Sequence, residues 1–449
     1  MSEAIAKRVF SVNYRNLDRW DVAYFGSVNW QWPKECIWPI GSSLTRINKL
    51  ITTDLLAAPI IEKISFGGEL TILDEQKRPG YKGRLFEARF GQLIYSKIRV
   101  KQGSVCVVTP SIEWVAVSSE YPVYEIDETV AYPTYLELVL RSNVFKHYLD
   151  GLSHGSSTKT RIHPDQFEKI PIPLPSLAIQ QKIAVRWQAA QRERAAADTA
   201  LSALVAELNS WLLEQTKSFS QVTRSKVFLA NYENTQQWDV KAGRAAAFIT
   251  ANPDFMRLGD YTEECTETVR PWDEPEKEWP IYGVNNKDGV FLSSMQVGKD
   301  FNAPYKKIEK GWFFHNPTRA NVGSLGIVPE VPTDAITSPE YQVWRLNDGF
   351  SPDFMALMLR TDYFLALAAF NRVGGVKQRM YYSNLAEIRL PEVPTEVQHN
   401  FAERRQEVLE NITTANEKLA QRQIEIEEMI LGTRSVGANA ADCIQLAGS

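Results

Sequence analysis

Cysteine is scarce in this chain: Cys36, Cys106, Cys265 and Cys443 are all it has, far apart and with no Cys-x-x-Cys pair. Neither a disulfide framework nor a zinc site is expected from that spacing. Long apolar runs are also missing. No stretch approaches the roughly 18 residues of a membrane span, and the opening MSEAIAKRVF lacks the apolar centre of a signal peptide. The expected location is cytoplasmic. Catalytic signatures are absent too. There is no Asn-Pro-Pro-Tyr or Asp-Pro-Pro-Tyr tetrapeptide of the kind amino-methyltransferases use, Asn316-Pro317-Thr318 stopping short of it, and no GxxxxGK[ST] phosphate loop. We therefore expect no catalytic residue, no metal and no cofactor bound by the chain itself. Net charge is small, at −4. The acid is concentrated, however: from Thr395 to Gly432 there are eight Glu against four Lys and Arg, which leaves the rest neutral and able to present a local basic groove.

What is present is a sequence written twice, at an offset of 218 to 220 residues. Tyr14-x-Asn16-x-x-x-Trp20-Asp21-Val22 returns as Tyr232-x-Asn234-x-x-x-Trp238-Asp239-Val240. Arg99, Gly103 and Ser104 fall on Arg319, Gly323 and Ser324; Leu140-Arg141 falls on Leu359-Arg360; Lys159 and Arg161 fall on Lys377 and Arg379. IPIPLP…Q, ending at Gln180, matches IRLPEVP…Q, ending at Gln398. Solenoid units run to about 20 to 50 residues, so this period means a duplicated domain with its linker. Two similar units on one chain suit two similar but non-identical targets, since identical ones could be served by a homodimer.

Two segments, Ser176 to about Lys217 and Thr395 to Leu431, contain neither Gly nor Pro. In the first, Ile183, Trp187, Ala190, Arg194, Ala197, Leu201, Leu204, Leu208 and Trp211 follow alternating steps of four and three. Phe401, Arg405, Val408, Ile412, Ala415, Leu419, Arg422, Ile426 and Met429 repeat the seam in the second. That is the pattern of a coiled coil, about 45 Å long at 1.5 Å per residue. Thr395 to Gln398 reads as a capping box and Gly432 as a C-cap.

The remaining parts read as mixed α/β. SVCVVTP, EWVAVSSEYPVYEI, SLGIVPE and EYQVWRL have strand composition, and each half then has one short helix, YLELVLRSNVFKHYL or DFMALMLRTDYFLALAAF. A basic glycine loop follows each: Gly151 to Arg161, and Asn371 to Arg379. Flexible glycine beside Lys-x-Arg lets backbone N–H groups and cations approach an anion together. His147, His154 and His163 lie near the first loop, but the second has no matching histidine, so surface or phosphate-contacting roles are expected of them. Trp30, Trp32, Trp38, Trp312 and Tyr341 are expected in cores.

These motifs resemble the specificity (S) subunits of type I restriction-modification systems. The resemblance covers essentially the whole chain and lies in the Trp-Asp-Val start of each half, in GWFFHNPTRANVGSLGIVPE with AITSPEYQVWRL, and in the glycine loop running into IPIPLPSLAIQQKIA and a long helix. The second copy departs in its poorer proline content, and in Asn-Pro-Thr-Arg where the first has Ser-Lys-Ile-Arg. The resemblance implies an α/β chain of two duplicated target-recognition domains, separated by two long antiparallel helices that form a coiled coil. Its expected segments are recognition domains at 1–175 and 221–394, spacer helices at 176–220 and 395–432, and a flexible tail at 433–449. Each domain would read half of an asymmetric bipartite site in double-stranded DNA through Lys159, Arg161, Arg372, Lys377 and Arg379, with Arg99 and Arg319 as weaker candidates. Expected partners are two methyltransferase (M) subunits, joined by restriction (R) subunits in a complete system. S-adenosylmethionine, ATP and Mg would act through those partners. A second reading of the same residues is a non-catalytic interaction scaffold with two adaptor domains on a coiled coil.

Overall fold

A computed structural model describes residues 30–52, 58–80, 83–151, 161–216, 218–235, 239–347 and 349–436. The chain divides into two compact units, Met1–Glu193 with Asn416–Ser449, and Arg194–Ala415.

The first unit holds strands β1 (Ile37–Pro39), β2 (Leu44–Ile47), β3 (Ile61–Ile64), β4 (Leu70–Ile72), β5 (Leu85–Arg89), β6 (Leu93–Tyr95), β7 (Val105–Val107), β8 (Trp114–Ser118), β9 (Val123–Ile126) and β10 (Pro171–Pro173). Its helices are α1 (Pro133–Arg141), α2 (Asn143–Gly151), α3 (Pro164–Phe167) and the start of α4 (Leu177–Gln215). An antiparallel sheet in the order β2-β9-β6-β7 forms one wall of the core, and β1 pairs with β10 beside it.

In the second unit come α5 (Phe219–Arg224), α6 (Val240–Ala251), β11 (Met256–Arg257), β12 (Thr262–Glu264), β13 (Thr268–Val269), β14 (Glu278–Asn285), β15 (Gly289–Val297), β16 (Tyr305–Lys307), β17 (Phe313–His315), β18 (Leu325–Ile327), β19 (Ile336–Thr337) and β20 (Gln342–Leu346). They are followed by α7 (Pro352–Met358), α8 (Asp362–Phe370), α9 (Tyr382–Ala386), β21 (Arg389–Leu390) and α10 (Thr395–Leu431). The sheet β12-β20-β17-β18 repeats the order of the first unit, and β11 pairs with β21 as β1 does with β10.

Duplication extends to the second sheet. In the second unit it runs β13-β16-β19-β14-β15, with one parallel pairing at Ile281–Ile336. The first unit has the same succession in weaker form: a bridge at Leu50–Phe86, the pair β5-β8, a parallel bridge at Ile60–Ala116, and the hairpin β3-β4. Divergence is concentrated in the hairpin, whose strands have 4 and 3 residues in the first unit and 8 and 9 in the second.

Each unit has its own aromatic core. Tyr95 stacks on Phe167 at 4.1 Å in the first, and Phe313 on Trp344 at 4.6 Å in the second. Trp30, Trp32 and Trp38 pack against the first core, and Trp312 and Tyr341 against a smaller cluster in the second unit. Where one short helix was expected in each half there are two. Ser142 Oγ donates to Val139 O at 2.7 Å and accepts from Phe145 N at 3.1 Å, and Thr361 does the same with Met358 O and Phe364 N at 2.7 and 3.2 Å. A hydroxyl that closes one helix and caps the next breaks the run without Gly or Pro.

Helices α4 and α10 run antiparallel. Lys418 pairs with Glu193 at 3.4 Å in the first unit, and Arg404 with Glu207 at 2.5 Å in the second. None of the seam residues expected from the repeat is exposed. Ile183, Ile426, Met429 and Ile430 join the first core; Leu204, Leu208, Leu212 and Phe401 join the second. Each compact unit therefore takes part of both helices. Gly432, at φ 90°, ends α10 as expected. The capping box does not form. Thr395 is already the first helical residue, and the Gln398 side chain turns to Ser351, Gly349 and Val393 instead. Cys36 is disulfide-bonded, which departs from the expectation, while Cys106 and Cys265 are free and buried. Among the described residues no helix is long and apolar enough to cross a membrane.

Candidate nucleic-acid interface

Arg99 and Arg319 occupy the same turn in the two units. Ser96 N donates to Ser104 O at 2.9 Å, and Asn316 N to Ser324 O at 2.9 Å, so each turn leaves one strand and returns as its antiparallel neighbour. Ser-Lys-Ile-Arg and Asn-Pro-Thr-Arg thus share a backbone despite their different sequences. Each arginine opens a short 3-10 turn that a left-handed glycine ends, Gly103 at φ 97° and Gly323 at φ 88°. Both arginine side chains are exposed. The glycines are also closely approached: a Cβ on Gly103 would lie 2.9 Å from Phe66 O, and one on Gly323 3.1 Å from Asn286 Cβ. Those neighbours belong to the tips of the β3-β4 and β14-β15 hairpins. Arg141 donates to Gly67 O in the first tip, and Arg360 to Asn286 O and Lys287 O, at 3.3 and 3.4 Å, in the second. The repeated Leu-Arg pair is therefore a strut for the hairpin.

The second glycine loop is docked on this turn. Val373 N donates to Arg379 O and Arg379 N to Val373 O, both at 2.8 Å, closing Gly374 to Gln378 into a short loop. Met380 N then donates to Pro317 O at 2.9 Å, and His315 Nε2 lies 2.9 Å from Met380 O. Arg379 and Arg319 are thereby brought to one corner of the unit. Lys377 is exposed near the loop tip, and Arg379 is half-buried at its base. Arg372 is placed differently. Its Nε is buried without a hydrogen bond, in a pocket with Asn234, Ile249, Phe370 and Glu387, and burial lowers the pKa of its guanidinium.

The same docking occurs in the first unit. Ile162 N donates to Lys97 O at 2.9 Å and Tyr95 Oη to Ile162 O at 3.1 Å. Tyr95 and His315 thus supply the same bond from different chemistry. His315 is fully buried, and burial holds its pKa down at about 4, so it is neutral at pH 7. Arg161 is exposed and pairs with Glu120 at 3.2 Å. Lys159, His154, Trp20 and Trp238 lie outside the described residues. His147 is exposed; His163 caps α3 as Tyr381 caps α9, so its place in the fold needs no imidazole. Among the described residues no group of three or more His, Cys, Asp or Glu could hold a metal ion.

Some neighbours of the site were not singled out from the sequence. Lys97 lies in the turn itself and donates to Ser119 O at 2.5 Å, and Lys241 of α6 donates to Gln378 of the loop. The docking residues Ile162 and Met380 keep the repeat offset, which is a signal of a kind. Nothing in the pair Tyr95 and His315 marks a shared role.

The turn opened by Arg99 in one unit and by Arg319 in the other is thus built twice, with Arg161 following it in the first and the loop of Lys377 and Arg379 docked on it in the second. No protein-family model matches the chain, and no curated protein does. Several solved structures are similar to it, three of them as follows. One, described as the structural basis underlying complex assembly and conformational transition of the type I R-M system, aligns over 90% of this chain and 98% of its own at 15% identity, with a TM-score of 0.35. The HsdS subunit from Thermoanaerobacter tengcongensis aligns over 88% and 94% at 14% identity and TM-score 0.29. The type I restriction-modification system S subunit from M. genitalium aligns over 90% and 96% at 12% identity and TM-score 0.43.

Proposed function

We propose that the chain is the sequence-specificity subunit of a type I restriction-modification complex. Each recognition domain reads one half of an asymmetric bipartite site in double-stranded DNA, and α4 with α10 sets the spacing and docks two methyltransferase subunits. The chain itself is non-catalytic and works in the cytoplasm. S-adenosylmethionine, and ATP with Mg where restriction subunits join, act in the partners.

One observation carries this reading. The same corner is built twice, with matching hydrogen bonds at Ile162–Lys97 and Met380–Pro317, while the hairpins beside it differ in length. A shared frame with divergent additions suits two related DNA half-sites of different sequence, and two-fold arrangements of this kind match paired half-sites. Lys377, Arg379, Arg161 and the turn arginines Arg99 and Arg319 supply the phosphate contacts, with Lys159 as the counterpart of Lys377. Arg372 is the weakest of the set, given its buried Nε.

The test is reconstitution. Purified chain alone should neither methylate nor cleave DNA, and adding the methyltransferase subunit should confer S-adenosylmethionine-dependent methylation at defined sites. Methyl transfer by the isolated chain would overturn the non-catalytic assignment. A complex without salt-dependent affinity for duplex DNA would favour the scaffold.

A further inference from the structure

Cations position a protein on a duplex without reading its sequence. The second glycine loop carries a side chain of another kind. Val376 stands near its tip with a relative exposure of 108%, higher than that of any other exposed large hydrophobic residue among those described. An exposed apolar residue by itself is ordinary; this one is distinguished by how it is held. The two 2.8 Å bonds between Val373 and Arg379 close the loop below it, Gln378 is tied to Lys241, and Met380 is fixed to Pro317 at 2.9 Å. Gly374, at φ 103°, lets the chain turn sharply there. The result is a five-residue loop closed by a single β-bridge, with a branched apolar side chain near its tip, Lys377 beside it and Arg379 at its foot.

We propose that Val376 reads a thymine, its methyl groups contacting the 5-methyl of that base in the major groove while Lys377 and Arg379 hold flanking phosphates. The inference rests on the DNA-reading function proposed above. The major groove, about 12 Å wide, has room for an α-helix or a two-stranded ribbon and therefore for a narrow bridged loop, and thymine is the base that presents a methyl group there. The minor groove is only about 6 Å wide, and side chains that wedge into it are Phe, Leu, Ile, Met or Pro. Valine is short and stiff at χ1, which suits a fixed contact better than a wedge. At the matching position the first copy has Thr158, of nearly the same shape but with a hydroxyl in place of one methyl. The two loops therefore offer different chemistry to different half-sites.

The experiment uses the complex assembled with methyltransferase subunits, its sites mapped by methylation sequencing and its affinity measured on defined duplexes. Because Val376 is fully exposed, Val376→Ala should fold, bind and keep the wild-type salt slope. It should lose preference for thymine at one position by about fourfold, the equivalent of one buried methyl group. Replacing that thymine by uracil should cost the wild type the same factor and cost Val376→Ala nothing further. Unchanged preference at every position in Val376→Ala overturns the proposal. Relaxation at a base where uracil serves as well as thymine overturns it too, and makes the side chain a wedge or a shape reader. If the wild-type complex shows no sequence preference at all, the DNA-reading function fails and takes the thymine contact with it. Failure of the Val376→Ala test alone leaves that function standing.

Discussion

Gln180 and Gln398, each near the start of a long helix, make the same three hydrogen bonds. Gln180 accepts from Tyr132 N at 2.8 Å and donates to Val130 O at 2.9 Å and Pro175 O at 2.7 Å. Gln398 accepts from Ser351 N at 3.1 Å and donates to Gly349 O at 3.3 Å and Val393 O at 3.0 Å. In each unit the clamp ties the helix and the proline stretch just before it to a segment about 50 residues away, the loop that leads into α1 or α7.

Both glutamines are buried, so Gln398→Ala leaves one N–H and two carbonyls without partners. The expected cost is about 2 to 4 kcal/mol, because unpaired buried groups carry their full desolvation penalty. Gln180→Ala should behave alike. Urea unfolding of the full chain measures both, and a loss below about 0.5 kcal/mol would show that water replaces the clamp.

The glycine loops should register in salt dependence. Replacing Lys377 and Arg379 with Ala should lower the slope of log affinity against log salt by about 0.9 for each true phosphate contact. Lys159 and Arg161 should act likewise at the other half-site. A double variant with wild-type affinity and slope would reduce its loop to an ordinary surface loop.

Buried His315 makes the second unit acid-sensitive. Its folded pKa of about 4 lies below the unfolded value of about 6.5. Between those values the unfolded chain binds a proton that the folded chain does not. Stability is thus fully present above about pH 6.5 and is lost as pH falls towards 4, by roughly 3 kcal/mol in total. His315→Gln does not titrate there and should show less pH dependence than wild type in urea midpoints measured from pH 7.5 to 4.5. Equal pH dependence would mean that the imidazole is not held neutral by the fold.

Gly103 and Gly91 have nearly the same backbone, at φ 97° and 85°, but a Cβ at Gly91 would meet nothing within 4 Å. Alanine at either position should destabilise by about 1 kcal/mol for the left-handed backbone. Gly103→Ala should cost more, since its Cβ would press on Phe66 O. Equal losses in thermal melts would show that the hairpin tip yields freely.

The duplication, the two long helices and their seams were legible in the sequence because they rest on period and spacing. Of the strands, β7, β8, β9, β18 and β20 were legible from their β-branched and aromatic composition, and the others were not singled out. What was not legible depends on which partner a side chain or backbone group finds, whether nearby or in a distant segment. Ser142 and Thr361 look like ordinary helix residues until their hydroxyls are seen to bond in both directions. Gln398 fits a capping box on spacing alone, yet the carbonyls it serves belong to Gly349 and Val393. The two Lys-x-Arg loops could be found by their recurrence. Their attachment to the arginine turns could not, because it is made by backbone atoms of Ile162 and Met380.

If the helices set the distance between half-sites, lengthening both should lengthen the DNA spacer. Four residues inserted near Ala197 in α4, with four near Ala415 in α10, add about 6 Å of helix. At about 3.4 Å per base pair, that adds one or two base pairs between half-sites whose sequences stay the same. An active variant with unaltered spacing would free the helices from this role.

The central claim, that two diverged units read two halves of one site, is tested most directly by mapping every base methylated by the chain assembled with its methyltransferase partner. The account predicts an asymmetric motif of two different specific blocks separated by a spacer of fixed length and any sequence, with Lys377→Ala/Arg379→Ala weakening methylation at all such sites. A single uninterrupted motif, two identical blocks, or methylation without sequence preference would contradict it.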